Sequence, residues 1–191
     1  MPHPTATPSA LKVARTPTGF CLRVEGRGTM RESRPAAEFV NQSLAAGAGA
    51  GAGAAAGAGS GPAPTVVVDA SACDYLDSTF LGCLVEMQRR VARAPAGPGA
   101  MGPRFVVSAP PEKVRKLLSP TRLDAVLKTT PEPPQVVGEY VALPAEDPGT
   151  PDVVRHVMEC HRRLAELGGP QQAVFAAIAD NLERELQGKA K

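Results

Sequence analysis

The sequence predicts an α/β fold: a mixed β-sheet with helices packed on it, followed by a C-terminal helical hairpin. Three observations predict it. Short apolar stretches of strand character alternate with stripes at helical spacing from residue 10 to 143. The strands come in two kinds, a hairpin pair that alternates apolar and polar residues and central runs that do not, which predicts a sheet of mixed direction. After a proline-rich break, two further amphipathic stretches are separated by Gly168-Gly169-Pro170.

Residues 1–9 are polar and proline-rich and are expected to be disordered. Residues 10–15 (ALKVAR) and 19–25 (GFCLRVE) alternate around a turn at Thr16, Pro17, Thr18 and Gly19, a hairpin signature. Ala36, Phe39, Val40 and Leu44 recur at helical spacing and predict a helix over about 33–46. A Gly/Ala-rich insert, 46–63, follows, and no charge lies between Glu38 and Asp69. Such repeats bury no core and lose much backbone entropy on ordering. They read as a neutral loop insertion, because added loop length costs little. A tether or a stacking segment is the alternative.

Residues 64–69 (PTVVVD) form a continuous apolar run that suits a central strand covered on both faces. Phe80, Leu81, Leu84, Val85, Met87 and Val91 give a helix over 78 to about 93, and the stretch 95–103 (PAGPGAMGP) breaks it. Residues 104–109 (RFVVSA) read as a second buried strand. Pro111 stands at a helix start, with Val114, Leu117 and Leu118 facing inward. Residues 136–142 read as a last strand, so the order is β-β-α-β-α-β-α-β. The linker is 144–151. In the hairpin, 152–187, one helix is lined by Val153, Val154, Val157, Met158, Leu164 and Leu167, the other by Val174, Phe175, Ile178, Leu182 and Leu186. The hairpin is expected to pack on the sheet domain; the alternative is that it binds another chain.

Composition excludes several classes. The chain has 191 residues, 43% of them hydrophobic but only 4% aromatic, so its core must be mostly Val, Leu and Ala. A net charge of +2 offers no basic stripe for nucleic acid. No window is apolar for long enough to span a membrane, and the N-terminus has no apolar signal region. Cys21, Cys73, Cys83 and Cys160 form no CxxC pair and read as reduced thiols. The expectation is a cytoplasmic protein with no nucleic-acid or membrane partner.

The stretch 66–82 (VVVDASACDYLDSTFLG) carries the chemistry. Asp69, Asp74 and Asp77 lie within nine residues, whereas a metal-assisted phosphotransfer site draws acids from several strand ends. A phosphoaspartate at Asp69 would need an acidic pair after the first strand, and residues 15–19 (RTPTG) have none. There is no GxSxG elbow and no glycine-rich phosphate loop with a lysine. His156 and Cys160 share a helix face but make too few ligands for a metal. The reading is therefore no catalytic residues, no metal and no cofactor. Asp77 or Ser78 is the N-cap of a helix. A serine there also sits at the positive end of the helix, where a phosphate would meet free amides and add about −1.5 to −2 charge.

These residues resemble the signature of STAS domains, the bacterial anti-sigma-factor antagonists: a hydrophobic strand ending in Asp, a short loop, then Asp-Ser-Ser/Thr-Gly-Leu-Gly opening a helix. Asp69, Asp77, Ser78, Thr79, Leu81 and Gly82 match. The element order over 10–143 and the stretch VRKLLSPTRLDAVL match as well; the insert and the tail do not. The resemblance implies a STAS-like mixed sheet and a non-enzymatic regulator of transcription by partner switching. An anti-sigma factor with serine kinase activity would phosphorylate Ser78, with Thr79 the secondary acceptor, and a phosphatase would reverse the switch. The partner-binding surface would comprise Asp74, Tyr75, Asp77, Ser78, Thr79, Phe80 and Gly82, with Thr29 from the neighbouring loop 26–33. Phe80 stands where the pattern has Gly, and reads either as an aromatic anchor for a partner or as an obstruction to the kinase. Thr29 stands where many regulated members carry an acid. The alternative function is a STAS-fold scaffold or oligomerisation module, unphosphorylated, that assembles through the C-terminal helices.

Overall fold

The structure is a computed structural model and describes residues 9–45, 64–94 and 104–188. The expectations for residues 1–8, most of the Gly/Ala insert and the break at 95–103 lie outside the described residues.

Among the described residues a mixed sheet with five helices is present, ending in a helical pair. The strands are β1 (Ala10–Thr16), β2 (Gly19–Gly28), β3 (Thr65–Asp69), β4 (Cys73–Leu76), β5 (Phe105–Ser108), β6 (Thr129–Thr130) and β7 (Val137–Leu143). The helices are α1 (Met30–Ala45), α2 (Ser78–Arg93), α3 (Pro111–Leu117), α4 (Pro151–Glu166) and α5 (Gln172–Gly188). Strand order is β6-β5-β3-β2-β1-β7, and β4 pairs with the far end of β2. β1 runs antiparallel to β2 and β7; β2, β3, β5 and β6 run parallel.

Register sorts the strand residues onto two faces. Leu11, Val13, Leu22, Val24, Phe20, Val66, Val68, Phe105 and Val107 form the buried face. α1 and α2 cover it with Ala36, Val40, Phe80, Leu84 and Met87. The opposite face carries the row Lys12, Arg23, Asp69, Ser108. The valine run of β3 therefore does not lie between two helix layers. On its second face Val67 and Val106 are only half-buried.

The link from β6 to β7 joins opposite edges of the sheet. Five inter-strand spacings amount to about 24 Å, and the seven Cα–Cα steps from Thr130 to Val137 reach at most about 25 Å fully extended. Residues 131–136 (PEPPQV) must therefore run nearly straight, and prolines favour that. The Ser108 hydroxyl, on the second face, ties down the start of this strap by donating to the Glu132 carbonyl at 2.6 Å.

Several elements differ from expectation for local reasons. α1 starts at Met30, three residues early, because Glu32 reaches back to the Thr29 amide at 2.9 Å and closes the first turn. β4 and β6 fall in stretches read as loop; both are too short to show a period. α3 stops at Leu117, ahead of Pro120, and two 3-10 turns (Ser119–Thr121 and Leu123–Ala125) carry the chain on, joined by Arg122 at φ 60°. Leu118, just ahead of the first turn, and Leu123, in the second, are nonetheless fully buried.

The helical pair docks on helices, not on the sheet. α4 lies across α2 and touches α1, and α5 packs on α4. Val153, Met158, Cys160, His161 and Leu164 form the buried face of α4. Val174, expected on the apolar stripe of α5, is 57% exposed, while Phe175 and Ala179 are buried. α2 and α4 approach so closely at Gly82 that a Cβ there would lie 2.3 Å from the Cys160 carbonyl oxygen. Only glycine permits this crossing.

Pro35 explains how the linker is held. Proline inside α1 has no N–H, so the Arg31 carbonyl loses its helical donor. The Glu146 amide supplies one at 2.9 Å. The Glu146 carboxylate then takes both its bonds from Arg34, each 2.9 Å.

Gly82→Ala is expected to destabilise the protein by about 1–3 kcal/mol through overpacking, although alanine is the better helix former. Urea unfolding checks this. An unchanged midpoint would mean that α4 is not seated at Gly82.

Candidate functional site

The loop after β3 and the first turn of α2 hold the residues singled out in the sequence. The three aspartates do three separate jobs. Asp69 is fully buried. It accepts from Arg23 Nε at 2.8 Å, and from the Ser71 amide and hydroxyl at 3.0 and 2.6 Å, which folds the loop back on the strand end. Asp74 is exposed and pairs with Lys113 at 2.8 Å, which holds its carboxyl below the usual range; Lys113 also donates to the Cys73 carbonyl.

Asp77 joins two helices. Its Oδ1 accepts from the Phe80 amide at 2.8 Å, capping α2. Its Oδ2 accepts from the Met30 amide at 2.9 Å, capping α1. One carboxylate thus satisfies orphan donors at two helix N-termini. Burial pushes its pKa up, against the pull of the Phe80, Met30 and Thr79 amides. The acids do not converge, and no group of three metal-ligating side chains exists among the described residues.

Ser78 is the first residue of α2 and half-buried. Its Oγ lies 2.9 Å from Nε2 of His161 on α4. The ring's other nitrogen, Nδ1, lies 2.8 Å from the Val157 carbonyl, which can only accept. Nδ1 therefore carries the hydrogen, and in the neutral ring Nε2 accepts the Ser78 hydroxyl proton. Phe175 of α5 backs the imidazole at 6.0 Å between centroids. A hydroxyl on an imidazole is the geometry of an activated nucleophile. Here the imidazole is 4% exposed, its outer nitrogen faces a backbone carbonyl rather than a carboxylate, and the pair lines neither the cleft among α1, α2 and α4 nor the cleft beside β5.

The other proposed contact residues separate into rim and interior. Tyr75 is 44% exposed, with the Arg27 guanidinium over its ring at 4.4 Å. Thr29 is half-buried, and its hydroxyl donates to Glu32 at 2.6 Å. Thr79 and Phe80 are 2% and 1% exposed. The reading of Phe80 as an aromatic anchor for a partner is corrected: its ring fills the core beneath α2. Gly82 is corrected likewise, since the backbone of α4 already covers it. The accessible rim is Asp74, Tyr75, Arg27 and Thr29, with Ser78 at its covered edge.

Sequence reasoning missed His161, Arg27 and Lys113. His161 lies 83 positions from Ser78, so no local motif joins them. A signal did exist: His161 falls at helical spacing with Val157 and Leu164, on the apolar stripe of α4, and a buried imidazole needs a partner. His156, five residues earlier, points elsewhere. Its Nε2 lies 3.0 Å from Ser33 Oγ on α1 and 3.5 Å from Cys160 Sγ. α4 thus places one histidine on a serine near the start of each of the two helices beneath it. Glu86 with Arg163 and Arg89 with Glu166 fasten the rim of that contact.

No protein-family model matches the chain. No curated protein matches it either. Among solved structures, the chain is similar to the crystal structure of an anti-sigma factor antagonist from Mycobacterium paratuberculosis, at 17% identity and a TM-score of 0.44, covering 69% of this chain and 92% of that one.

Burial, then Arg34 and Arg90, push His156 down to about 4, with Glu86 pulling weakly the other way. Unfolded, it titrates near 6.5. Between these values the unfolded chain binds the extra proton, so this histidine's contribution to stability is full above about 6.5 and is lost as pH falls toward 4. Asp77, with its pKa raised, acts oppositely near the acid end. Urea unfolding at pH 7 and pH 4.5 is expected to show a loss of stability in the wild type that is smaller in His156→Gln. An equal loss in both would refute the assignment.

Proposed function

We propose that the protein is a non-enzymatic regulator of STAS type, an anti-sigma-factor antagonist that works by exchanging partners under control of Ser78. The observation that carries this reading is the position of Ser78: first residue of α2, directly after the double cap Asp77, at the end of a strand–loop unit whose rim is exposed. A phosphate there meets the favourable end of the helix macrodipole and alters a surface by about −1.5 to −2 charges.

The partner is an anti-sigma factor with serine kinase activity, which docks on the rim of Asp74, Tyr75, Arg27 and Thr29. Phosphotransfer joins Ser78 Oγ to the γ-phosphorus of a nucleoside triphosphate. The bond to the nucleoside diphosphate breaks, and the hydroxyl proton passes to a base of the kinase. A phosphatase restores the serine by hydrolysing the ester with water. Thr79 is a poor second acceptor, since its side chain is buried. Assembly through the C-terminal helices is the weaker reading, because α4 already spends its apolar face on α2.

Capture from lysate of the native cell, with wild type, Ser78→Ala and Ser78→Glu as baits, tests the proposal. Ser78→Ala is expected to retain an ATP-binding protein that phosphorylates Ser78 of the wild type, and Ser78→Glu to lose it by about tenfold or more, the response to at least about 1.4 kcal/mol. Equal capture on all baits, with Ser78 unmodified, would end the partner-switching reading.

A further inference from the structure

We propose that the α4–α5 hairpin is a removable cover on the Ser78 site, and that a docked hairpin and a phosphorylated Ser78 exclude each other. This rests on the reading of Ser78 as a phosphate acceptor and adds the device that gates it.

The hairpin seals the site with a specific polar bond. The Ser78 hydroxyl donates a hydrogen bond to His161 Nε2 at 2.9 Å. A kinase must reach that same Oγ, so phosphotransfer requires α4 to lift. Once formed, the ester places three further oxygens on that Oγ, where the His161 ring already stands at 2.9 Å and is itself only 4% exposed, so a docked α4 crowds the phosphate out.

The hairpin is built to leave as a unit. α5 makes its main contacts with α4 and moves with it. Beside the apolar contacts of Cys160 and Leu164, the seat of α4 holds the notch at Gly82, the His161–Ser78 bond to α2, the His156–Ser33 bond to α1, and the ion pairs of Glu86 and Arg89. The sheet keeps its own cover, because α1 and α2 stay on it when α4 leaves. Local opening of this kind is the low-energy end of a protein's motions.

The seam carries its own reporter. Cys160, on the buried face of α4, is 2% exposed, whereas Cys21 and Cys73 are buried in the strands β2 and β4. In the docked state burial raises the Cys160 thiol pKa far above its ordinary value, so it reacts only when α4 lifts.

N-ethylmaleimide labelling of the full chain, with each cysteine located by mass spectrometry, tests the cover without any partner. Ser78→Glu is expected to speed labelling of Cys160 by about tenfold or more relative to wild type, the response to about 1.4 kcal/mol of undocking. Cys21 and Cys73 should keep their wild-type rates. Ser78→Thr, which keeps a hydroxyl, should stay within about threefold of wild type. An unchanged or slower Cys160 rate in Ser78→Glu would overturn the proposal, as would all four thiols speeding up together, which signals general unfolding. If Cys160 responds as expected but capture finds no kinase, the cover stands and the partner reading fails. If capture succeeds but Cys160 is indifferent, the reverse holds.

Discussion

The carboxylate of Asp77 is the point on which the working end of the molecule depends. Two helices begin within hydrogen-bond reach of it, and each leaves first-turn amides that its own helical backbone cannot satisfy. One oxygen serves α2 and the other α1. The pairing sets the relative position of the two helix starts, and α4 reads that position: His161 finds Ser78 on one helix and His156 finds Ser33 on the other. Keeping the charge in a half-buried place is costly, and the upward shift of its pKa records that cost. A neutral side chain of similar shape could not accept from two amides as strongly.

The same residue type does different work at positions 69, 74 and 77 because burial and neighbours differ. Asp69 is a sealed ion pair that shapes a loop. Asp74 is a surface group held by a lysine. Asp77 is a shared cap. Three carboxylates close together in sequence resemble a catalytic cluster only until the backbone distributes them. The strand–loop–strand path through β3 and β4 turns them to different sides, and what converges instead is a serine and a distant histidine.

What the sequence shows and what it hides follow from the range of the interactions. The long strands were legible because alternation and valine runs report burial directly. Most helices were legible because Phe80, Leu84 and Met87, or Val153 and Leu164, repeat at the right spacing. The cap at Asp77 was legible because Asp-Ser ahead of an apolar stripe is a local signal. β4 was not, since Cys73 and Leu76 turn inward while Asp74 and Tyr75 between them face solvent, which is no alternation. The true start of α1 lay in Thr29 and Glu32, outside the apolar pattern. The seating of the hairpin was hidden altogether. Its apolar face could be read, but Gly82 looked like part of a loop-and-helix motif rather than a notch for another backbone. Phe80 misled for the same reason: an aromatic in a motif does not announce which way its ring points.

The proline in α1 has a consequence for how far the hairpin can travel. Glu146 is fastened to Arg31 and Arg34 because Pro35 left a carbonyl open, so the free tether to α4 is only residues 147–150. Four residues extend to about 14 Å at most. An undocked hairpin therefore remains close to its seat, at an effective concentration of the order of millimolar. A competitor for that seat is in a contest with a tethered rival, and moderate affinity in free solution would not be enough to win it. Changes in the occupancy of the seat would then follow a change in the seat itself more readily than a rise in the amount of competitor.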